Sequence, residues 1–481
     1  MCMKNILFYL LCLILITACV QEDFCSDQEH ANGLLNLSLT KVGETQVYSP
    51  KSSGPYKNGD VIEFDISYRE GTVLDLSRMK LNISLENNCY AEPKVPGFVD
   101  LSVPYILSII NSIGDRLTFT IKVNPIMIPK AIASVEKEWF LNANQLQCSL
   151  SFVNYLTSIA ISQNTFVVYD GVGSSGGFIK AYNTETGELL ETVSVPNTFI
   201  SQVKTDDAGH IIANRMNIYG AGFMLYYYDD IHSTPQLILN YTAADGCPKN
   251  LGGRISVVGN LKEGKAYVYA TTGRYFDVVD DAGANAYYYW EFNDGIPTNI
   301  KPIKVEFPLV NGMWQIANVQ RETVDAESDI FLSHFTFSET DSEPFIFGSN
   351  FYKIKAGNIS DIIEMQKDNF EYKILSYETF EIENSRFLVM LLKGFTYDAG
   401  VYLKVFDITD EQNFVEMKPG TENYDRFVLY SSESYLTYHK NHWGDIAVDI
   451  KGKDAYIYAI IPDWSSASAA GVMKYHLKYE K

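Results

Sequence analysis

Phe178-Ile179-Lys180-Ala181-Tyr182-Asn183-Thr184-Glu185-Thr186-Gly187-Glu188-Leu189-Leu190-Glu191-Thr192-Val193 sets two strand-forming runs on either side of a polar, glycine-bearing turn. Apolar and polar side chains alternate on the first arm, and Asn, Thr and Gly fill the connection, which is the pattern of a β-hairpin. Just upstream, Ser158-Ile159-Ala160-Ile161-Ser162 and Thr165-Phe166-Val167-Val168-Tyr169 supply two more strands. Four strands in about forty residues is the size of one β-propeller blade.

The same grammar recurs, with divergence, at 203–213 and 224–239, 254–269, 331–354, 387–406 and 445–479. These runs predict a propeller over 146–481 with about six blades, or seven or eight if the long third and fourth units each divide. The last unit shows three clear strands. A segment at 146–152 is expected to add the fourth, closing the ring and removing an exposed edge. A radial array buries its strands, so the loops at the two ends of the channel are expected to carry function.

Upstream, short alternating runs such as Val61-Ile62-Glu63-Phe64-Asp65-Ile66 and Leu117-Thr118-Phe119-Thr120-Ile121-Lys122-Val123 are separated by turn residues such as Asn58-Gly59 and Gly114-Asp115. This period of two over 34–125 predicts a small antiparallel β-sandwich of immunoglobulin size, followed by a linker at 126–145. The chain is therefore all-β in expectation, a sandwich followed by a propeller.

With 38 basic and 59 acidic residues among 481, the net charge is −21. That sign excludes the phosphate neutralisation on which nucleic-acid binding depends. Tyrosine is abundant, at 33 residues against 5 tryptophans. It forms strands well and offers an amphipathic contact surface. Beyond the first nineteen residues only Cys25, Cys89, Cys148 and Cys247 remain, with no spacing that suggests zinc, so either a disulfide or isolated thiols fit equally well.

The N-terminus reads as an export signal. Lys4 precedes an apolar run from Ile6 to Ile16 that is too short to span a bilayer, and the run ends in Ile16-Thr17-Ala18-Cys19. This resembles the bacterial lipobox, which implies removal of 1–18, acylation of Cys19 and a tether over 19–33. Two lipid attachments at one cysteine would suffice for a stable anchor. The acidic Glu22-Asp23 resembles the export signal of Bacteroidetes surface lipoproteins, implying an outer-membrane location on the extracellular face.

A wider resemblance follows from Val99-Asp100-Leu101-Ser102-Val103-Pro104-Tyr105-Ile106-Leu107, then Gly114 and the strand at 118–123. These are similar to the closing hairpin of the Ig-like domain in Bacteroidetes surface lipoproteins, although Tyr105-Ile106 stands where a tyrosine-threonine pair is expected. Lys137-Glu138-Trp139, Thr157-Ser158-Ile159-Ala160-Ile161 and Asp206-Asp207-Ala208-Gly209-His210-Ile211 likewise resemble the propeller-like region attached to it. The resemblance implies glycan utilisation or adhesion, names no ligand and transfers no catalytic residue.

Motifs for chemistry are sparse. Gly173-Ser174-Ser175-Gly176-Gly177 has the letters of a nucleophile elbow, but a strand follows where a helix is required. His439 and His442, near Asp445, could ligate a metal only from a loop or helical turn. Asp206-Asp207, Asp229-Asp230 and Asp280-Asp281 sit at turns, where aspartate is favoured for local hydrogen bonding. No catalytic residue, metal or cofactor is assigned.

Aromatic clusters offer the candidate ligand contacts, because sugar rings stack on aromatic faces while hydroxyls meet polar groups. They are Tyr287, Tyr289 and Trp290, then Trp464, with Trp443 as a further candidate. The same tyrosines could instead fill a sheet interface, since alternate residues of a strand face inward. The expected function is a surface-anchored, non-catalytic binding or adhesion module for a glycan or a cell-surface protein. The alternatives are a polysaccharide-active enzyme with its site at the propeller mouth, and a structural subunit of an outer-membrane complex.

Overall fold

The computed structural model describes residues 33–41, 47–70, 73–128, 131–150, 157–171, 177–196, 200–218, 220–273, 286–307, 313–337, 349–355, 358–359, 362–364, 372–394, 400–409, 427–435, 444–461 and 468–480. The chain divides into two compact units, Met1–Lys130 and Ala131–Lys481. Cys19, Trp443, Trp464, both histidines of the His439/His442 pair and Asp280-Asp281 lie outside the described residues.

The first unit is a seven-stranded sandwich. One sheet holds Leu34–Lys41, Val47–Tyr48 and Met79–Leu85, and the other holds Val61–Arg69, Tyr90–Ala91, Tyr105–Ile110 and Arg116–Ile128. The inward residues of the alternating runs, among them Leu37, Leu39, Ile62, Phe64, Phe119 and Ile121, form one core. The sandwich is not wholly antiparallel, because Val61–Arg69 pairs in parallel with Arg116–Ile128 from Val61↔Thr120 to Arg69↔Ile128. That pairing carries the last strand through Pro125 to Ile128, beyond the boundary expected at 125.

Among the described residues, the second unit forms a β-propeller of six blades. Blade 1 runs Ser158–Ser162, Thr165–Gly171, Gly177–Asn183 and Leu189–Val193, and blade 2 runs Gln202–Thr205, Ile211–Arg215, Phe223–Tyr228 and Gln236–Tyr241. Blade 3 is formed by Arg254–Gly259, Lys265–Thr271 and Ala286–Asn293, with Ile296–Pro297 and Ile303–Glu306 sharing its outer edge. Blade 4 contains Met313–Arg321, Ile330–Phe337, Ser349–Ile354 and Ile362–Glu364; blade 5 contains Tyr372–Ile382, Ser385–Gly394, Val401–Asp407 and Val428–Ser431. The first strands of the blades touch one another in a closed cycle, from blade 1 through blade 6 and back to blade 1.

Blade 6 closes the ring with a strand from the other end of the unit. Asp445–Lys451, Asp454–Ile461 and Gly471–Tyr479 are completed by Ala133–Asn142, in register from Gly471↔Asn142 to Tyr479↔Ala133. The closing strand therefore lies in the segment expected to be a linker, and not at 146–152. The sequence hides it because Ser134-Val135-Glu136-Lys137-Glu138 is charged and largely solvent-facing, as an outermost strand can be. Within 146–150, Leu146 and Leu150 instead bury against blade 1, where Tyr182 donates its hydroxyl proton to the Leu146 carbonyl at 2.7 Å.

Trp139, on the closing strand, packs against Phe166 of blade 1 and Tyr458 of blade 6, with ring centres 5.8 and 6.0 Å away. Tyr458 donates to the Thr184 carbonyl at 3.0 Å, sealing the seam between the first and last blades. Close approach at Gly471 is part of the closure, since a Cβ there would lie 2.3 Å from the Leu141 carbonyl oxygen and 2.7 Å from the Phe140 ring. Gly471→Ala should therefore destabilise the unit by about 2 kcal/mol. The check is a lower thermal midpoint together with faster proteolysis within 133–142 than in the wild type.

Candidate functional site

The inner strands enclose a channel of about 590 Å³. It opens on the face where each blade's first strand turns into its second, next to Asp207, Ala208, Glu322 and Ile450, and deepens toward Gln202, Ser376 and Asp445. Period two along these strands aims alternate side chains into the lumen. Each inner strand contributes a polar residue near the floor: Ser158, Gln202, Arg254, Asn318, Ser376 and Asp445.

Asp445 is the hub of that floor, with its side chain 1% exposed. Oδ1 meets the Lys204 ammonium at 2.8 Å, accepts from Ser376 Oγ at 2.9 Å and lies 3.7 Å from the Arg254 guanidinium. Oδ2 accepts from the Ile159 amide at 3.2 Å and from Gln202 Nε2 at 3.4 Å. Burial alone would raise its pKa, but the charges of Lys204 and Arg254 and the donated hydrogen bonds outweigh burial and hold it below the usual carboxylate range. Arg254 also donates to the Gly444 carbonyl at 2.8 Å, and the Gln202 carbonyl oxygen accepts from the Ile255 amide at 2.7 Å.

Glu378 lies one rung nearer the mouth. It shares a strand face with Ser376, so it points into the channel, and it is half-buried at the wall. Burial pushes its pKa up to about 7; Lys204 pulls it down and Asp445 pushes it further up. At the mouth, Asp206 is fully engaged: Oδ1 accepts from the Ala208 and His210 amides of its own turn at 3.1 and 2.9 Å, and Oδ2 faces His210 Nδ1 at 2.9 Å and accepts from the Leu261 amide at 2.9 Å. Asp207 accepts from the Gly259 amide at 2.8 Å, and Glu322 pairs with Arg386.

Among the described aromatic candidates, Tyr287, Tyr289 and Trp290 do not form an exposed platform. Trp290 is 2% exposed and stacks on Phe223 of blade 2 at 4.8 Å, with its indole N–H donated to the Ile300 carbonyl at 2.9 Å. Tyr287 is buried and Tyr289 half-buried; both lie beside Tyr269, whose hydroxyl accepts from Arg321 at 3.1 Å. Blade packing has taken these rings, because the strand Ala286–Asn293 sits inside its sheet with neighbours on both faces. Of the other motifs, Asp445 turns into the channel floor, and Gly177–Asn183 continues as a strand after the glycine-serine run. Asp230 caps its own turn by accepting from the His232 amide at 2.9 Å.

Cys89, Cys148 and Cys247 carry free thiols, and burial pushes Cys148 up to about 11 and Cys247 up to about 12. Among the described residues no group of three or more His, Cys, Asp or Glu side chains is arranged to hold a metal ion. Sequence reading missed Lys204, Glu378 and the role of Asp445. The available signal was a polar side chain recurring on alternate positions of otherwise apolar inner strands.

The family described as "Domain of unknown function (DUF8500)" matches residues 151–460, more than half of the chain. The chain belongs to the DUF8500 family. The DUF8500 match takes in the channel-lining strands, whereas the closing strand Ala133–Asn142 and its partner Gly471–Tyr479 lie outside it. No curated protein matches the chain in sequence. Similar solved structures include Kuenenia stuttgartiensis hydrazine synthase, at 9% identity and a TM-score of 0.39, covering 78% of this chain and 90% of that one. The N-terminal domain of Nup159 is 10% identical with a TM-score of 0.37, covering 73% and 96%. The polysaccharide lyase Uly1 is 10% identical with a TM-score of 0.37, covering 78% and 85%.

Removing the hub leaves the buried Arg254 and the half-buried Lys204 without their shared counter-ion. Asp445→Ala should cost about 3–5 kcal/mol of stability. A denaturant midpoint close to that of the wild type would show that the blades do not depend on it.

Proposed function

We propose that this protein is a lipid-anchored, surface-displayed binding module that takes a glycan into the mouth of its propeller channel without cleaving it. The observation that carries this reading is the channel itself, which at about 590 Å³ falls in the range of small-molecule sites and combines polar groups with apolar wall. Two of the channel carboxylates are already engaged, since Asp445 is enclosed and surrounded by donors and Glu322 is paired with Arg386, so glycoside cleavage would have to draw its two carboxyl groups from Glu378, Asp207 and Asp449. The anchor rests on Cys19 and the apolar run before it. No helix among the described residues is long and apolar enough to cross a membrane.

The protein should retain at least one polysaccharide from a panel of host and dietary glycans, with no release of reducing ends in the same mixtures. Release would establish an enzyme; absence of both would turn the reading toward adhesion to protein or a structural role. Cys19→Ser should move the protein from the membrane fraction to the soluble fraction of cells, read by fractionation and blotting. Unchanged membrane partition would remove the lipid anchor from the proposal.

A further inference from the structure

We propose that Glu378, Lys204 and Gln320 form a subsite deep in the channel for one neutral, hydroxyl-bearing sugar ring. The inference rests on the channel-binding reading and specifies what enters furthest. Glu378 is half-buried at the wall with its carboxyl turned to the lumen, and no described residue donates a hydrogen bond to it; Lys204 and Asp445 act on it through charge. A carboxyl in that position keeps its hydrogen-bonding capacity for whatever occupies the channel, water or ligand.

The available hydrogen-bonding groups are of both kinds. Lys204 directs Nζ to Asp445 and to the Ile446 carbonyl at 3.2 Å, which leaves one of its three protons for the lumen. Gln320 gives its carbonyl oxygen to the Thr379 amide at 3.4 Å and keeps its NH₂ group. A hydroxyl both donates and accepts, so a sugar edge can satisfy an ammonium, an amide and a carboxyl together. Charge selects neutrality, since an ammonium ligand would face Lys204 and a carboxylate ligand would face Glu378, with Asp445 below.

Space and shape agree. The lining residues on blades 1 and 6 at this depth are Ala160 and Ala447, whose small side chains leave the lumen wide. Phe380, two residues beyond Glu378 on the same strand face, adds an apolar patch toward the mouth.

The test measures binding of methyl glycosides of glucose, galactose, mannose and N-acetylglucosamine, with glucuronic acid and glucosamine as charged controls. The full chain is used in a non-glycosidic detergent, read by calorimetry and saturation-transfer NMR. At least one neutral glycoside should bind more tightly than either charged sugar. Glu378→Ala should weaken it at least tenfold at a thermal midpoint equal to or above that of the wild type. The groups facing Glu378 are Lys204 from blade 2 and Asp445 from blade 6, with Arg254 of blade 3 beneath. A neutral ligand that shuts out water favours the uncharged carboxyl, so affinity should fall about tenfold between pH 6 and 8. Glu378→Gln, which mimics the uncharged form, should bind within a few-fold and lose that pH dependence.

Tighter binding of a charged sugar, or wild-type affinity in Glu378→Ala, would overturn the subsite. Retention of a polysaccharide with no monosaccharide binding would also overturn it while leaving the channel reading in place. No binding of either kind would remove the reading and the subsite with it.

Discussion

One buried carboxylate ties the ring together. Asp445 sits on blade 6 and receives hydrogen bonds or charge from Ile159 on blade 1, Gln202 and Lys204 on blade 2, Arg254 on blade 3 and Ser376 on blade 5. Blade 4 joins through Asn318, whose amide reaches the Leu375 carbonyl at 3.4 Å. Neighbouring blades also meet pairwise, through apolar contact, which is tolerant of small rotations, and through single hydrogen bonds such as Ser256 to the Val319 carbonyl and Tyr377 to the Phe331 carbonyl. An ion cluster at the axis is not tolerant, because its desolvation is compensated only when every partner is in place. The cluster thus fixes the angle of each blade and, with it, the width of the channel.

Closure at the rim answers a different constraint. Six blades in a row would leave an outer strand edge on the last and an unpaired apolar face on the first. The strand Ala133–Asn142 fills the edge, and Trp139 packs against both Phe166 and Tyr458, which stack on each other at 5.5 Å on that seam. Its entry is fixed where the Ala131 amide donates to Asp407 at 3.1 Å. Axis and rim are complementary in their chemistry: polar groups register the blades at the centre, while aromatic packing and a shared sheet hold the first and last blades together outside.

How much of this was legible in the sequence follows from which forces leave a local trace. The hairpin at 178–193 and its counterparts carry their turns and alternation within a few residues, so strand content and a propeller of about six blades, with seven or eight left open, could be read. The closing strand could not, because its partner lies more than 300 residues away and its charged face looks like a linker. For Tyr287, Tyr289 and Trp290 the sequence left packing in a sheet interface and contact with a ligand both open, since a ring that stacks on a sugar and a ring that stacks on Phe223 have the same letters. Glu378 was invisible for the opposite reason, being a single acid in an alternating strand whose meaning comes from Lys204 and Asp445 on two other blades.

The same geometry sets stability against function. With Glu378 raised to about 7 from an ordinary 4.5, the folded protein holds a proton that the unfolded chain releases. Stability therefore falls as pH rises from about 4.5 to 7, and the folded state carries the cost of an ionised, unpartnered carboxyl above that range. Asp445 has the opposite sign: its lowered pKa contributes stability that is complete above the unfolded value and is lost as pH falls through the folded one. One acid at the floor thus holds the ring together by being fully paired, and the acid just above it weakens the ring by being left open. The proposed binding reading rests on that contrast, an acid left open beside a satisfied one on strands that also build the scaffold.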